Sequence, residues 1–145
     1  MFGKVHVGVP QESYTSEYAT SSEGAVKQFI QKSSHYLSGR EGKVIMIGTL
    51  PWSLSDGYTP VKDEWKVYFK EYDVNVTKAH KFSRVLKRMH KEDCFVGASS
   101  GKIALERYFK VNADLLAGYR DKFIRLSVYK KNAYCSYVIR LEVFE

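Results

Sequence analysis

The chain is 145 residues long and 44% hydrophobic, with 23 Lys and Arg against 16 Asp and Glu and a net charge of +7. That length and apolar share fit a single domain over residues 1–145. Two cysteines exclude a disulfide-stapled scaffold, and the longest aliphatic run, near Val44 to Ile47, is too short for a membrane span. No signal peptide is expected, and Cys94 and Cys135 are expected to be reduced and packed, which points to the cytoplasm. The positive charge is uneven: residues 61–91 hold nine basic residues against four acidic ones, whereas residues 1–60 hold five of each. Such a field attracts anions and says nothing of fold.

In chain order, Val5, Val7 and Val9 alternate with polar residues and predict a first strand over Lys4–Val9, closed by Pro10. Gln11–Ser22 is polar and predicts a surface loop. Thr20 and Glu23 have capping-box spacing, and Val26, Phe29, Ile30 and Leu37 continue as an apolar stripe, which predicts a helix over Ser22–Leu37. Lys43–Leu50 is a nearly continuous apolar run, as in a strand covered on both faces, and Pro51 ends it. After a turn-rich stretch, Glu64–Tyr72 alternates as a strand with Trp65, Val67 and Phe69 on one side and Lys66, Tyr68 and Lys70 on the other.

Thr77–Lys91 contains Lys78, Lys81, Arg84, Lys87, Arg88 and Lys91 and no acid. At 100° per residue, Phe82, Val85, Leu86 and Met89 form an apolar stripe opposite the charges, which predicts a basic amphipathic helix. Cys94–Ala98 follows as a short strand. Residues 99–110 fit a helix or a strand, with the helix favoured, and Asn112–Gly118 fits a helical turn with a glycine stop. Lys122–Tyr129 and Tyr134–Phe144 alternate around Lys130-Lys131-Asn132 and predict a long terminal hairpin, with Ile124, Leu126 and Val128 facing Ile139, Leu141 and Val143. No internal repeat is expected.

The resulting βαββαβ order resembles a ferredoxin-like sandwich over residues 1–98, with 99–145 as a C-terminal helix and β-hairpin packed on it, an α+β fold. The resemblance is one of topology. The expected binding surface joins the basic helix (Lys81, Arg84, Lys87, Arg88, Lys91), the Lys66, Tyr68, Lys70 strand face, and Arg125, Tyr129, Lys130 and Lys131 of the hairpin. Lysine and arginine suit phosphates and tyrosine suits a stacked base, so the expected partner is a nucleic acid, single-stranded in preference to duplex, or another phosphorylated ligand. An acidic protein surface, as for an inhibitor or sequestering factor, is an alternative partner. A second alternative is a small-molecule enzyme or sensor for a nucleotide-like ligand, with sites between subunits of a homo-oligomer and Tyr58, Glu64 and Glu71 as candidate catalytic residues. A third, a metal-dependent nuclease, draws on Asp56, Glu64 and Lys66. Gly97 to Lys102 imitates a phosphate loop but is one residue short and has Ile103 where the hydroxyl is required. His80, His90 and Cys94 lack metal spacing, so no metal or cofactor is expected.

Overall fold

A computed structural model describes residues 11–51, 63–72, 88–132 and 135–144. Among these residues, six strands, β1 (Gln11–Tyr18), β2 (Val44–Pro51), β3 (Glu64–Tyr72), β4 (Arg88–Gly97), β5 (Phe123–Asn132) and β6 (Ser136–Phe144), join in the order β1-β3-β2-β5-β6-β4. Every pairing is antiparallel. Among the described residues, four helices, α1 (Ser22–Lys32), α2 (Ser34–Leu37), α3 (Gly101–Val111) and α4 (Ala113–Ala117), with a 3-10 turn at Ser38–Arg40, lie on one side of this sheet. The fold is α+β with strands dominant.

The local reasons are plain in the residues. Ser21 caps α1 by accepting from the Gly24 N–H at 3.0 Å, and Ser100 caps α3 by accepting from the Ile103 N–H at 3.2 Å. Ala25, Val26, Phe29 and Ile30 in α1, and Ala104, Leu105, Tyr108 and Phe109 in α3, sit at helical spacing and are buried. They close on Ile45, Ile47, Val67 and Phe69 of one half of the sheet and on Ile124, Leu126, Ile139 and Leu141 of the other half, all on the helix-facing side, in one apolar cluster. Burying side chains of this size contributes roughly 1.5–3 kcal/mol each.

Those two groups of residues are counterparts. A constant shift of 79 positions carries the cap Ser21 onto Ser100, the helix end Ser33 onto Asn112 and the start of β2 at Val44 onto the start of β5 at Phe123. Two units of the form β-α-α-β-β, residues 11–72 and 88–144, therefore meet at the β2–β5 seam. Ile45 pairs there with its own counterpart Ile124. Gly42 N–H donates to Leu126 O at 2.8 Å, and Asp121 N–H donates to Ile47 O at 2.9 Å, the same bond in mirror roles. Gly42 and Asp121 both need positive φ, 78° and 65°. Across the helices, Lys27–Asp114 at 3.0 Å is matched by His35–Glu106 at 3.3 Å with charges exchanged. The seam is a pseudo-two-fold axis, and the expectation of no internal repeat is overturned.

Four further expectations change. Gln11–Tyr18 is an edge strand rather than a loop, paired with β3 from Gln11↔Glu71 to Tyr18↔Glu64. Both of its rows are polar, and an edge strand needs little apolar burial. The first predicted helix breaks at Ser33, where φ is −102°. The basic helix does not extend to Lys91: Arg88–Lys91 are extended and begin β4, which pairs with β6 from Arg88↔Phe144 to Gly97↔Ser136. Ladder bonds to β6 win there over helical periodicity, while Lys78, Lys81, Arg84 and Lys87 lie outside the described residues, as do the predicted strand Lys4–Val9 and Tyr58. The strand order is not the ferredoxin-like one, since the two units run outward from a central seam. Cys135, expected packed, is exposed in the hairpin turn at φ 52°, and both cysteines are free thiols.

The hairpin forms, with Ile124↔Val143, Leu126↔Leu141 and Val128↔Ile139 in register, but Lys130-Lys131-Asn132, expected at its tip, continue β5 and pair as far as Asn132↔Ser136. Residues 101–111 are helical, as favoured.

Candidate ligand-binding face

Side chains alternate across a strand, so the rows that do not meet the helices share the opposite face. Lys66, Tyr68 and Lys70 of β3 lie there, as do Arg88 and Lys91 of β4 and Arg125, Tyr129 and Lys131 of β5. Lys130 points to the helix side. The sheet thus gathers eight of the expected binding residues, and it adds Tyr14, Phe95 and Arg140, which sequence alone did not single out. Tyr14 falls inside the predicted loop, although Tyr14, Ser16 and Tyr18 alternate with Ser13, Thr15 and Glu17.

On the first unit, cations sit over rings. Lys66 Nζ is 4.4 Å from the Tyr14 ring centre, and Lys70 Nζ is 4.8 Å from that of Tyr68. The Tyr68 hydroxyl donates to Asp121 Oδ1 at 2.8 Å, which draws the ring across β2. Gly48 makes room for it: a Cβ at that position would run into the Tyr68 phenol and the Asp121 carboxylate. Tyr18 donates to Glu64 Oε2 at 3.0 Å, and this bond raises the Tyr18 phenol above its ordinary range.

On the second unit the counterpart positions hold ion pairs. Asp93 stands where Tyr14 does, Arg140 where Tyr68 does and Glu142 where Lys70 does. Arg140 grips Asp93 through two bonds of 2.9 and 3.2 Å, which hold the Asp93 carboxyl below the usual carboxylate range. Glu142 accepts from Arg125 at 2.8 Å and from Arg88 at 3.2 Å. Arg140 also covers the Tyr129 ring at 5.1 Å, and Lys131 covers Phe95 at 4.8 Å. The seam between the two halves of the face is apolar, formed by Val44, Phe123 and Phe144 with Met46 and Tyr72.

Among the candidates for catalysis, Glu64 is the acceptor for Tyr18, and Glu71 pairs with Arg40 at 3.1 Å toward the helix side. Asp56 lies outside the described residues. Among the described residues, no three His, Cys, Asp or Glu side chains gather as a metal site would require. His90 stacks on Tyr119 at 6.0 Å between ring centres, and His35 meets Glu106. No helix among the described residues is long and apolar enough to cross a membrane.

The chain matches no family model, no curated protein and no solved structure.

Proposed function

We propose that the protein binds single-stranded nucleic acid on the sheet face opposite its helices, with the β1–β3 half as the principal contact. The observation that carries this reading is the pairing of Lys66 with Tyr14 across β3 and β1 and of Lys70 with Tyr68 along β3. A nucleotide presents a π-face and a phosphate a few ångströms apart, so a ring and an ammonium held together offer it both partners at once. Tyr14 is 56% exposed, which leaves ring surface for a base. An antiparallel sheet with helices on one side keeps such a platform flat and rigid, and splayed single strands stack where a duplex would not. A net charge of +7 adds long-range attraction.

The test is fluorescence anisotropy with a labelled oligouridylate over a series of salt concentrations. Lys66→Gln with Lys70→Gln should weaken binding and lower the salt slope by about 1.4, that is about 0.7 for each single-strand phosphate no longer neutralised. Tyr14→Ala should weaken binding by roughly 1–3 kcal/mol with the slope unchanged. Unaltered affinity and slope in the double-lysine variant would refute the proposal.

A further inference from the structure

The pseudo-two-fold makes each unit a control for the other. On the helix side, Glu17 and Lys32 meet at 2.9 Å and close the cleft between β1 and α1, whereas their counterparts Val96 and Val111 line a groove of about 380 Å³ between β4 and α3. The open face differs more. Where the first unit has Ser16 and Leu50, the second has Phe95 of β4 and Tyr129 of β5. Both pair with Val138 of β6, so the three side chains form one row across adjacent strands at the hairpin end of the second unit. Phe95 is 65% exposed and Tyr129 49%. Each ring lies under a cation, Lys131 over Phe95 at 4.8 Å and Arg140 over Tyr129 at 5.1 Å.

Descent from a common unit does not account for this second group. The first unit carries its rings at Tyr14 and Tyr68, and the counterparts of those positions are Asp93 and Arg140. Both units thus bear cation-covered rings on the same face at positions the axis does not relate, although their core residues match place for place. A nucleic-acid strand accounts for the mismatch. Its sugar–phosphate backbone has a direction, so a strand crossing the axis meets the two units in opposite senses, and places related by the axis could not both fit it.

The register sets the distance between the two groups. Tyr68 pairs with Gly48, four residues of β2 lead to Val44, Val44 pairs with Arg125, and four residues of β5 lead to Tyr129. Two strand spacings of about 4.8 Å and eight residues at about 3.4 Å put Tyr68 and Tyr129 roughly 29 Å apart along the sheet. Between them Val44, Phe123 and Phe144 are buried and offer a base no open surface.

We infer that the row of Phe95, Val138 and Tyr129, with Lys131 and Arg140, is a second nucleotide-binding platform, and that one strand is held at both platforms with the nucleotides between them unstacked on protein. This second platform presupposes that the β1–β3 half is itself a single-strand site. Phe95 and Tyr129 supply faces for bases, while Lys131 and Arg140 supply charge for the adjoining phosphates. Arg140 uses Nε and Nη2 on Asp93, which leaves Nη1 for a phosphate. At about 3.4 Å per stacked nucleotide, a strand of about nine nucleotides reaches from one platform to the other. Binding at one end raises the effective concentration of the other, so the joint affinity exceeds that of either platform.

The test is fluorescence anisotropy of the full-length protein with oligouridylates of about 4 and about 16 nucleotides, the span of single-strand site sizes. The long tract should bind on the order of 100-fold more tightly than the short one. Phe95→Ala with Tyr129→Ala, both at exposed positions, should remove most of that advantage and leave the affinity of the β1–β3 half for the short tract unchanged. A long tract with abasic middle nucleotides keeps its phosphates and should bind the unaltered protein nearly as tightly as the intact tract. The inference is overturned, with the β1–β3 reading intact, if the double variant binds the long tract as tightly as the unaltered protein while Tyr14→Ala weakens it. It is overturned equally if abasic middle nucleotides abolish the advantage of length. If neither tract binds, the reading and the inference fall together.

Discussion

Replacing Tyr108 by Phe should stabilise the protein. The ring stays where it is, 2% exposed and edge-on to Phe109 at 6.3 Å between centres. Only the hydroxyl goes, and with it a desolvation penalty of about 1–3 kcal/mol for a buried donor without a partner among the described residues. Against this stands the void left by one oxygen, worth about 0.3 kcal/mol at roughly 24 cal/mol per Å³. A net gain on the order of 1 kcal/mol should raise the melting temperature by about 2–4 °C for a chain of this size. Circular dichroism melts at neutral and alkaline pH give two readouts. A raised folded-state pKa means that the unfolded chain releases the Tyr108 proton first, so the native protein loses stability as pH climbs above about 10. Tyr108→Phe removes that loss and should melt with a shallower alkaline decline. A melting temperature lower than that of the unaltered protein at neutral pH, with no change in the alkaline decline, would refute the reasoning and show that the hydroxyl is satisfied in solution.

Lys32→Ala should destabilise by about 2–3 kcal/mol in urea titrations, because it strands the buried Glu17 carboxylate although the ammonium itself is 60% exposed. Glu17→Val with Lys32→Val, the chemistry of the second unit, should return close to the original stability. Gly48→Ala should cost about 1–3 kcal/mol through overpacking against Tyr68 and Asp121, measurable in the same titration. Asp93 has its pKa lowered chiefly by its bonds to Arg140, so its contribution is present above the unfolded carboxylate value and lost as pH falls below about 4. Arg140→Gln should therefore show a smaller loss of melting temperature between neutral and acid pH than the unaltered chain.

What the sequence made legible follows from how strongly burial was patterned. β3 and the β5–β6 hairpin have one apolar and one polar row, so their period of two stands out and their registers could be written down. β1 hides because Thr15 and Glu17 face inward as polar groups. The helical reading of Arg88–Lys91 fails because a few apolar residues spaced three and four apart also tolerate a strand once β6 supplies a partner. The repeat is faint because the cores are matched in size and place more than in identity: Val26 answers to Leu105, Ile30 to Phe109 and Ile47 to Leu126. The fixed points, Ala19 and Ala98, Ser21 and Ser100, Leu37 and Leu116, Gly39 and Gly118, and Ile45 and Ile124, are too scattered to announce themselves, yet all fall at one offset. The Lys66, Tyr68, Lys70 row was readable because it is local. The groove was not, since it depends on comparing Val96 with Glu17 and Val111 with Lys32 across the axis.

The joining of two unlike units in one polypeptide also fixes a stoichiometry. Were the sheet a dimer of identical halves, any residue that opened one cleft would open its twin, and any stacking platform would be copied on the far side. In tandem, among the described residues, the lysine–tyrosine pairs stand on the first unit and the groove between β4 and α3 on the second. Each chain thereby carries one copy of each arrangement, at opposite ends of the same sheet.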